Sequence, residues 1–316
     1  MKQNKIIVSF ATILLLLVLV FMLFDLFFSE KEKINSYKFN IDKYKQIDTT
    51  KLCFSQNSEI QLNYDSAFTI CISPKDELYV GGNKFLAIFE TTGKKKYEIK
   101  VSSNISSIAV NQEDSIFIAY KNRIEIFTKK GKLLKTFSNF PKKTHFTSIL
   151  LEQETILVAD AGNKLIYKLD FNGNMLQEIG KKTEKFHGFI IPSPYFDICK
   201  GREGQLWAVN TGRHEFTAFD EHGEVFSTWK KTSMGLDGFS GCCNPSHIAM
   251  LSNGDFVTSE KGLERIKIHS PNGDFKCLVA GSNFFEKGTK GIDLAIDSKD
   301  RIFALDTKKR KILIFE

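Results

Sequence analysis

Residues Gly241 to His247 read GCCNPSH, and here soft, reactive side chains crowd together. Two chemistries suit Cys242, Cys243 and His247. Thiolate and imidazole are the donors zinc and copper prefer, and His187 and His214 fall in loops expected on the same face, so they could complete a ligand set. Adjacent side chains diverge, however, which makes a shared ion hard to build from neighbours. Alternatively, Cys242 and Cys243 could join as a vicinal disulfide, or one of them could pair with Cys277. Lys261 or His247 would then supply the cation a reactive thiolate needs. A third reading is structural: a buried turn in which Asn244-Pro245 sets the chain path and a backbone carbonyl holds His247.

Other signals of chemistry are sparse. The chain has no nucleophile elbow, no H-E-x-x-H, no P-loop and no G-x-G-x-x-G. The net charge is +7, and the stretch from Lys121 to Lys143 alone carries eight positive residues against one negative. Such a stretch suits anionic lipid heads or an acidic polymer, and equally a solvated outer face.

The elements that must position these residues form a repeat. An alternating apolar run, a turn, a second strand, a polar hairpin, a third strand, a turn with glycine and a fourth strand recur along the chain. Copies run from Phe68 to Ile99, Ser106 to Phe137, Thr147 to Gly180, Tyr195 to Trp229, Ser246 to Gly281, and Ile292 to the end. Gly93, Gly131, Gly173, Gly223 and Gly273 mark one point in five copies, at intervals of 38, 42, 50 and 50 residues. Four strands at a period of about 40–50 residues imply an all-β fold, a six-bladed β-propeller. Period-2 alternation predicts half-buried strands. The sixth copy ends after three strands, so the alternating run from Ser58 to Leu62 is expected to close the ring as its fourth. Cys71 and Cys199 lie in strand patterns and read as small buried hydrophobes.

The hairpins VADAGNKLIYKL, AVNTGRHEFTAF, TSEKGLERIKIH and ALDTKKRKILIF resemble the NHL-repeat pattern over roughly residues 66–316. Asp160, Gly162 and Asn163 match it best, followed by Thr211, Gly212 and Arg213, then Gly262 and Arg265. Gly238 to Ile268, with its GCCNPSH-type segment, is similar to stretches in bacterial, often exported, NHL-type propellers. The resemblance implies six blades and binding through a surface; it does not supply a reaction. In such a fold the blade connections and the second-to-third-strand hairpins share one face. That face is expected to present Asp160, Asn163, Asn210, Arg213, Glu260, Lys261, Arg265 and Asp306 around a central channel. Asp197 and Asp293 are candidate carboxylates on the channel axis.

Ile6 to Phe24 is a run of 19 residues without a charge, long enough as a helix to span roughly 28 Å, with Lys2 and Lys5 before it. It ends without the small residues of a cleavage site. The expected organisation is a cytoplasmic tip and transmembrane signal-anchor over 1–28, a linker over 29–50 and the propeller over 51–316. The propeller would then lie outside the cytoplasm, on the periplasmic or cell-surface side. The expected role is a non-enzymatic platform for a protein, peptide or glycan, held to the bilayer by residues 6–24 and with no nucleic-acid partner. The alternative is a metal-dependent lyase or hydrolase on the channel face.

Overall fold

The computed structural model describes residues 12–24 and 41–316. The chain divides into two units, Met1–Ile41 and Asp42–Glu316. In the first, residues 12–24 form an apolar helix exposed along its length. Among the described residues no helix is long and apolar enough to cross a membrane. Residues 6–11, where the expected span begins, lie outside the described residues.

The second unit is a six-bladed β-propeller. Blade one is β2 (Ala67–Ile72), β3 (Glu77–Glu90) and β4 (Lys95–Asn104). Blade two is β5 (Ser107–Val110), β6 (Ile116–Ala119), β7 (Ile124–Phe127) and β8 (Leu133–Phe137). Blade three is β9 (Phe146–Glu152), β10 (Thr155–Asp160), β11 (Leu165–Asp170) and β12 (Met175–Ile179). Blade four is β13 (Ile198–Lys200), β14 (Leu206–Asn210), β15 (Glu215–Phe219) and β16 (Val225–Lys230). Blade five is β17 (His247–Met250), β18 (Phe256–Glu260), β19 (Arg265–His269) and β20 (Phe275–Ala280). Blade six is β21 (Asp293–Ile296), β22 (Ile302–Asp306) and β23 (Lys311–Phe315), with β1 (Gln56–Gln61) antiparallel to β23 as its outer strand. The first strand of each blade neighbours that of the next, and β21 neighbours β2, so the ring closes.

Blade one departs from four separate strands. Leu78–Gly82 of β3 pair with β2, and Asn83–Phe89 pair with β4. Lys84 takes left-handed backbone, at φ 63, at the changeover. Leu78 and Val80 then share a core cluster with Phe85, Ala87 and Phe89, a switch of parity that a straight strand could not make. One continuous element thus supplies the second and third strands.

The expected half-burial holds only at the rim. β6, β14 and β22 are buried at every residue, while outer β8 is exposed over most of its length. Blades stack face to face, so both faces of the middle strands are covered, and six apolar clusters fill the six blade interfaces. The turn glycines serve this stacking. Gly273 has φ 87, and a Cβ there would lie 2.4 Å from the Trp229 ring of the preceding blade; Gly173, at φ 85, meets Phe137 in the same way.

The chain from Asp42 lies on the propeller. Lys45 Nζ is 2.6 Å from Glu264, Ser282 Oγ donates to the Lys45 carbonyl, and the Ile47 side chain sits against Gly281. Cys53 is disulfide-bonded to Cys277 of β20, across 224 residues. Cys277 is therefore not a partner for Cys242 or Cys243. In the chain-entropy account a loop of that length is worth about 5 kcal/mol.

Candidate functional site at the channel mouth

Six residues occupy one register on the six inner strands or just before them: Thr69, Ser107, Ser148, Asp197, His247 and Asp293, each followed by Ile or Leu. Four of these side chains stitch one blade to the next. Ser107 Oγ accepts the Ile149 N–H (3.2 Å), Ser148 Oγ accepts that of Ile198 (3.4 Å), and Asp197 accepts that of Ile248 (2.9 Å). Asp293 accepts the Ile70 N–H at 2.8 Å and so joins the last blade to the first.

His247 is the exception, because its Nδ1 faces the two carboxylates, 3.1 Å from Asp293 and 3.5 Å from Asp197. Burial disfavours its charged form, but attraction to Asp293 and Asp197 and the hydrogen bonds to both outweigh burial. The pKa rises to about 10. Burial likewise opposes ionisation of Asp293, and the His247 charge and hydrogen bond prevail, holding that carboxyl below its usual range. At neutral pH the site is a carboxylate–imidazolium–carboxylate row. A protonated imidazole donates hydrogen bonds from both ring nitrogens.

Above this row opens a cavity of about 480 Å³, lined by Phe68, His145, Tyr195, His247, Lys290 and Gly291 among others. Its walls come from the segments that enter the first strands, so it lies on the face where the blade connections gather. Phe68 stands 41% exposed because a bulge between Ala67 and Thr69 breaks the alternation of β2 and turns the ring outward. Gly291 approaches closely enough that a Cβ would lie 2.9 Å from the Tyr195 ring and 3.5 Å from His247 Nε2. Tyr195 stands edge-on to His247, with ring centroids 6.0 Å apart. Burial and the Lys121 charge depress the His145 pKa and keep that imidazole neutral.

The GCCNPSH segment lies beside this mouth. Asn244 holds it: Nδ2 donates to the carbonyls of Ser240 (2.7 Å) and Lys261 (3.0 Å), and Oδ1 accepts the Lys261 N–H (2.9 Å). The Asn244–Pro245 peptide is cis. Cys242 is exposed and Cys243 buried, with their Sγ atoms 3.0 Å apart. Ser193 Oγ donates to Cys243 Sγ at 2.7 Å. Lys261 Nζ lies 4.7 Å from the Tyr195 ring centroid.

The structure separates the remaining candidates. His247 joins Asp197 and Asp293, not His187 or His214. His187 is exposed, and His214 is held at Nδ1 by Thr232 Oγ1 (3.0 Å) and at Nε2 by the Gly241 carbonyl. Among the described residues no cluster of three or more His, Cys, Asp or Glu is arranged to hold a metal. Of the residues expected on the binding face, Asp160, Asn210, Glu260 and Asp306 are fully buried. They end the second strands of their blades, and their side chains are occupied by the fold. Asp160 accepts the N–H groups of His145 and Gly162 and the Asn163 amide. Asn210 accepts the Ile190 N–H, and Asp306 those of Lys308 and Lys309. Glu260 takes Arg265 and the fully buried Lys267, and Arg265 also donates to the Met234 carbonyl. Arg213, Asn163 and Lys261 are partly exposed. Reasoning from sequence missed Phe68, His145, Tyr195 and Lys290. Their only common signal is position, just before or at the start of an inner strand or just before Gly291.

No protein-family model matches the chain, and no curated protein matches it in sequence. Solved structures do match the fold. A streptogramin B lyase aligns with TM-score 0.60 at 13% identity, over 83% of this chain and 97% of its own. A catalytically inactive histidine-to-alanine form of virginiamycin B lyase from Staphylococcus aureus, with quinupristin, aligns with TM-score 0.60 at 15% identity, over 83% and 99%. The WD40 propeller domain of Doa1 aligns with TM-score 0.52 at 14% identity, over 79% and 78%. These likenesses concern the propeller fold.

Proposed function

We propose that this chain is a membrane-anchored, extracytoplasmic propeller of NHL type that binds a protein, peptide or glycan at the mouth of its channel and performs no reaction there. The supporting observation is the cavity of about 480 Å³ with an imidazolium donor at its floor and Phe68 and Tyr195 on its walls. Aromatic walls with a few convergent polar groups suit peptide and sugar surfaces. A histidine held protonated by two carboxylates donates a hydrogen bond but abstracts no proton at neutral pH. The Cys53–Cys277 disulfide suits an oxidising compartment and so supports export. The apolar run through residues 6–24 supports the anchor.

The second reading is a metal-dependent lyase or hydrolase on the same face. It is favoured by the likeness to two lyases, one of them inactive without a histidine. Chemical cross-linking and capture with the full chain, beside elemental analysis of the same sample, tests the two. Capture of one partner, lost in a Phe68→Ala/Tyr195→Ala variant, supports the platform. No captured partner together with a stoichiometric transition metal overturns it.

A further inference from the structure

Cys242 and Cys243 are not among the residues that line that cavity. From their geometry we propose that Cys242 and Cys243 are a dithiol exchange site that reduces a small-molecule disulfide and closes to a vicinal disulfide. Three observations place the parts. The two Sγ atoms are already 3.0 Å apart, so closure to a bond of about 2.05 Å needs a shift of only about 1 Å. Cys242 is exposed and can meet an external disulfide, whereas Cys243 is 1% exposed and has the Cys242 sulfur within reach. The Ser193 hydroxyl points its hydrogen at Cys243 Sγ and favours negative charge there.

The proton follows the same asymmetry. Burial raises the Cys243 pKa, but hydrogen bonds from Ser193, Cys242 and Lys261 overcome it and the net shift is downward. The hydrogen bond to Cys243 is the main cause that raises Cys242, with burial second. Of the two, Cys243 is the one that ionises first, so the reacting form is a Cys242 thiol beside a Cys243 thiolate.

In the first step Cys242 Sγ attacks one sulfur of a disulfide RSSR while its proton passes to Cys243. A Cys242–S–SR bond forms, and RS⁻ leaves. The departing thiolate takes the proton back from Cys243 and becomes RSH. Cys243 Sγ then attacks Cys242 Sγ, forms the ring and expels the second RS⁻. The protein loses two electrons and RSSR gains two; one proton and one negative charge are conserved throughout. The other free cysteines stay out. Burial pushes Cys71 up to about 12 and raises Cys199 further, with the Asp293 and Asp197 charges adding to it.

The test uses the full chain in glutathione buffers of stepped potential, quenched with acid, alkylated and digested. The expected result is a 242–243 peptide that becomes two hydrogens lighter with a single two-electron midpoint, while Cys71 and Cys199 remain thiols. Cys243→Ser should trap glutathione on Cys242 as a stable adduct, and Cys242→Ser should slow glutathione disulfide consumption at least tenfold. A dithiol unchanged across the series overturns the proposal. So does a wild-type adduct that never closes, or a Cys243→Ser protein that takes up no glutathione. Ligand capture at the mouth is scored separately, so either proposal can fail alone.

Discussion

Blades one to three and blades four to six solve the same problem with different chemistry. Thr69, Ser107 and Ser148 stand where Asp197, His247 and Asp293 stand on the other side of the channel. Ser107 and Ser148 accept the next blade's amide with a hydroxyl. Asp197 and Asp293 accept the same kind of amide with a carboxylate. Neutral hydroxyls therefore suffice for stitching blades together. The extra charge on the other half goes to holding His247. One half of the ring is scaffold alone, and the other half is scaffold and a charged site.

The strongest way to break this comparison is to remove one carboxylate. Asp293→Ala leaves the Ile70 N–H without its acceptor and His247 with a single carboxylate, that of Asp197 at 3.5 Å. Truncating one member of a buried ion pair costs about 3–5 kcal/mol, and denaturant unfolding should show a loss in that range. Asp293→Asn retains an acceptor for Ile70 and removes only the charge, so its smaller loss measures the ionic part.

The framework itself should not distinguish the halves. Gly173→Ala in blade three and Gly273→Ala in blade five each force a side chain into left-handed backbone and against an aromatic ring of the preceding blade. Each should cost about 2–3 kcal/mol by thermal or denaturant unfolding. A large difference between them would mean that blade packing, not charge, separates the two sides.

The pH dependence isolates His247. Its folded pKa of about 10 lies above the unfolded value near 6.5. The folded protein thus holds more proton than the unfolded chain between those values, and stability falls as pH rises through the window. The stabilisation is complete below about pH 6.5 and gone above about pH 10. One proton gives a slope of at most about 1.4 kcal/mol per pH unit. Lys267, lowered by burial to about 8 against the attraction of Glu260, works in the opposite sense above pH 8. The readout is therefore wild type minus His247→Gln between pH 6.5 and 8. Parallel stability curves would remove the imidazolium from the site.

Reading the chain alone reached the ring but not its pairing. Asp197 and Asp293 could be named as axial carboxylates because each begins an apolar run at the inner position of a repeat. Their meeting at His247 could not, because 50 residues separate Asp197 from His247 and 46 separate His247 from Asp293, and only ring closure unites them. Asp160, Asn210, Glu260 and Asp306 were recognisable as a recurring polar position. They read as a binding surface because periodicity gives the face of a strand, not whether its end turns inward to meet the neighbouring connection's amides. Phe68 was hidden by the bulge, which shifts the register without any mark in FTICI. Cys53 and Cys277 sat among six cysteines with many pairings, and only the docking of residues 42–55 on blade five selects theirs.

The smallest effect is the sharpest test of the idea that hydroxyls merely stitch. Ser107→Ala removes the acceptor of the Ile149 N–H, a neutral hydrogen bond worth about 1 kcal/mol. Ser148→Ala should cost less, because the Ile198 N–H keeps a second acceptor in Asp197 Oδ1 at 2.9 Å. Chemical unfolding of the two variants beside Asp293→Ala should rank them Ser148, Ser107, Asp293 in rising cost. If Ser107→Ala were as damaging as Asp293→Ala, the neutral half would carry as much as the charged half. The carboxylates around His247 would then be ordinary stitching that happens to be ionised.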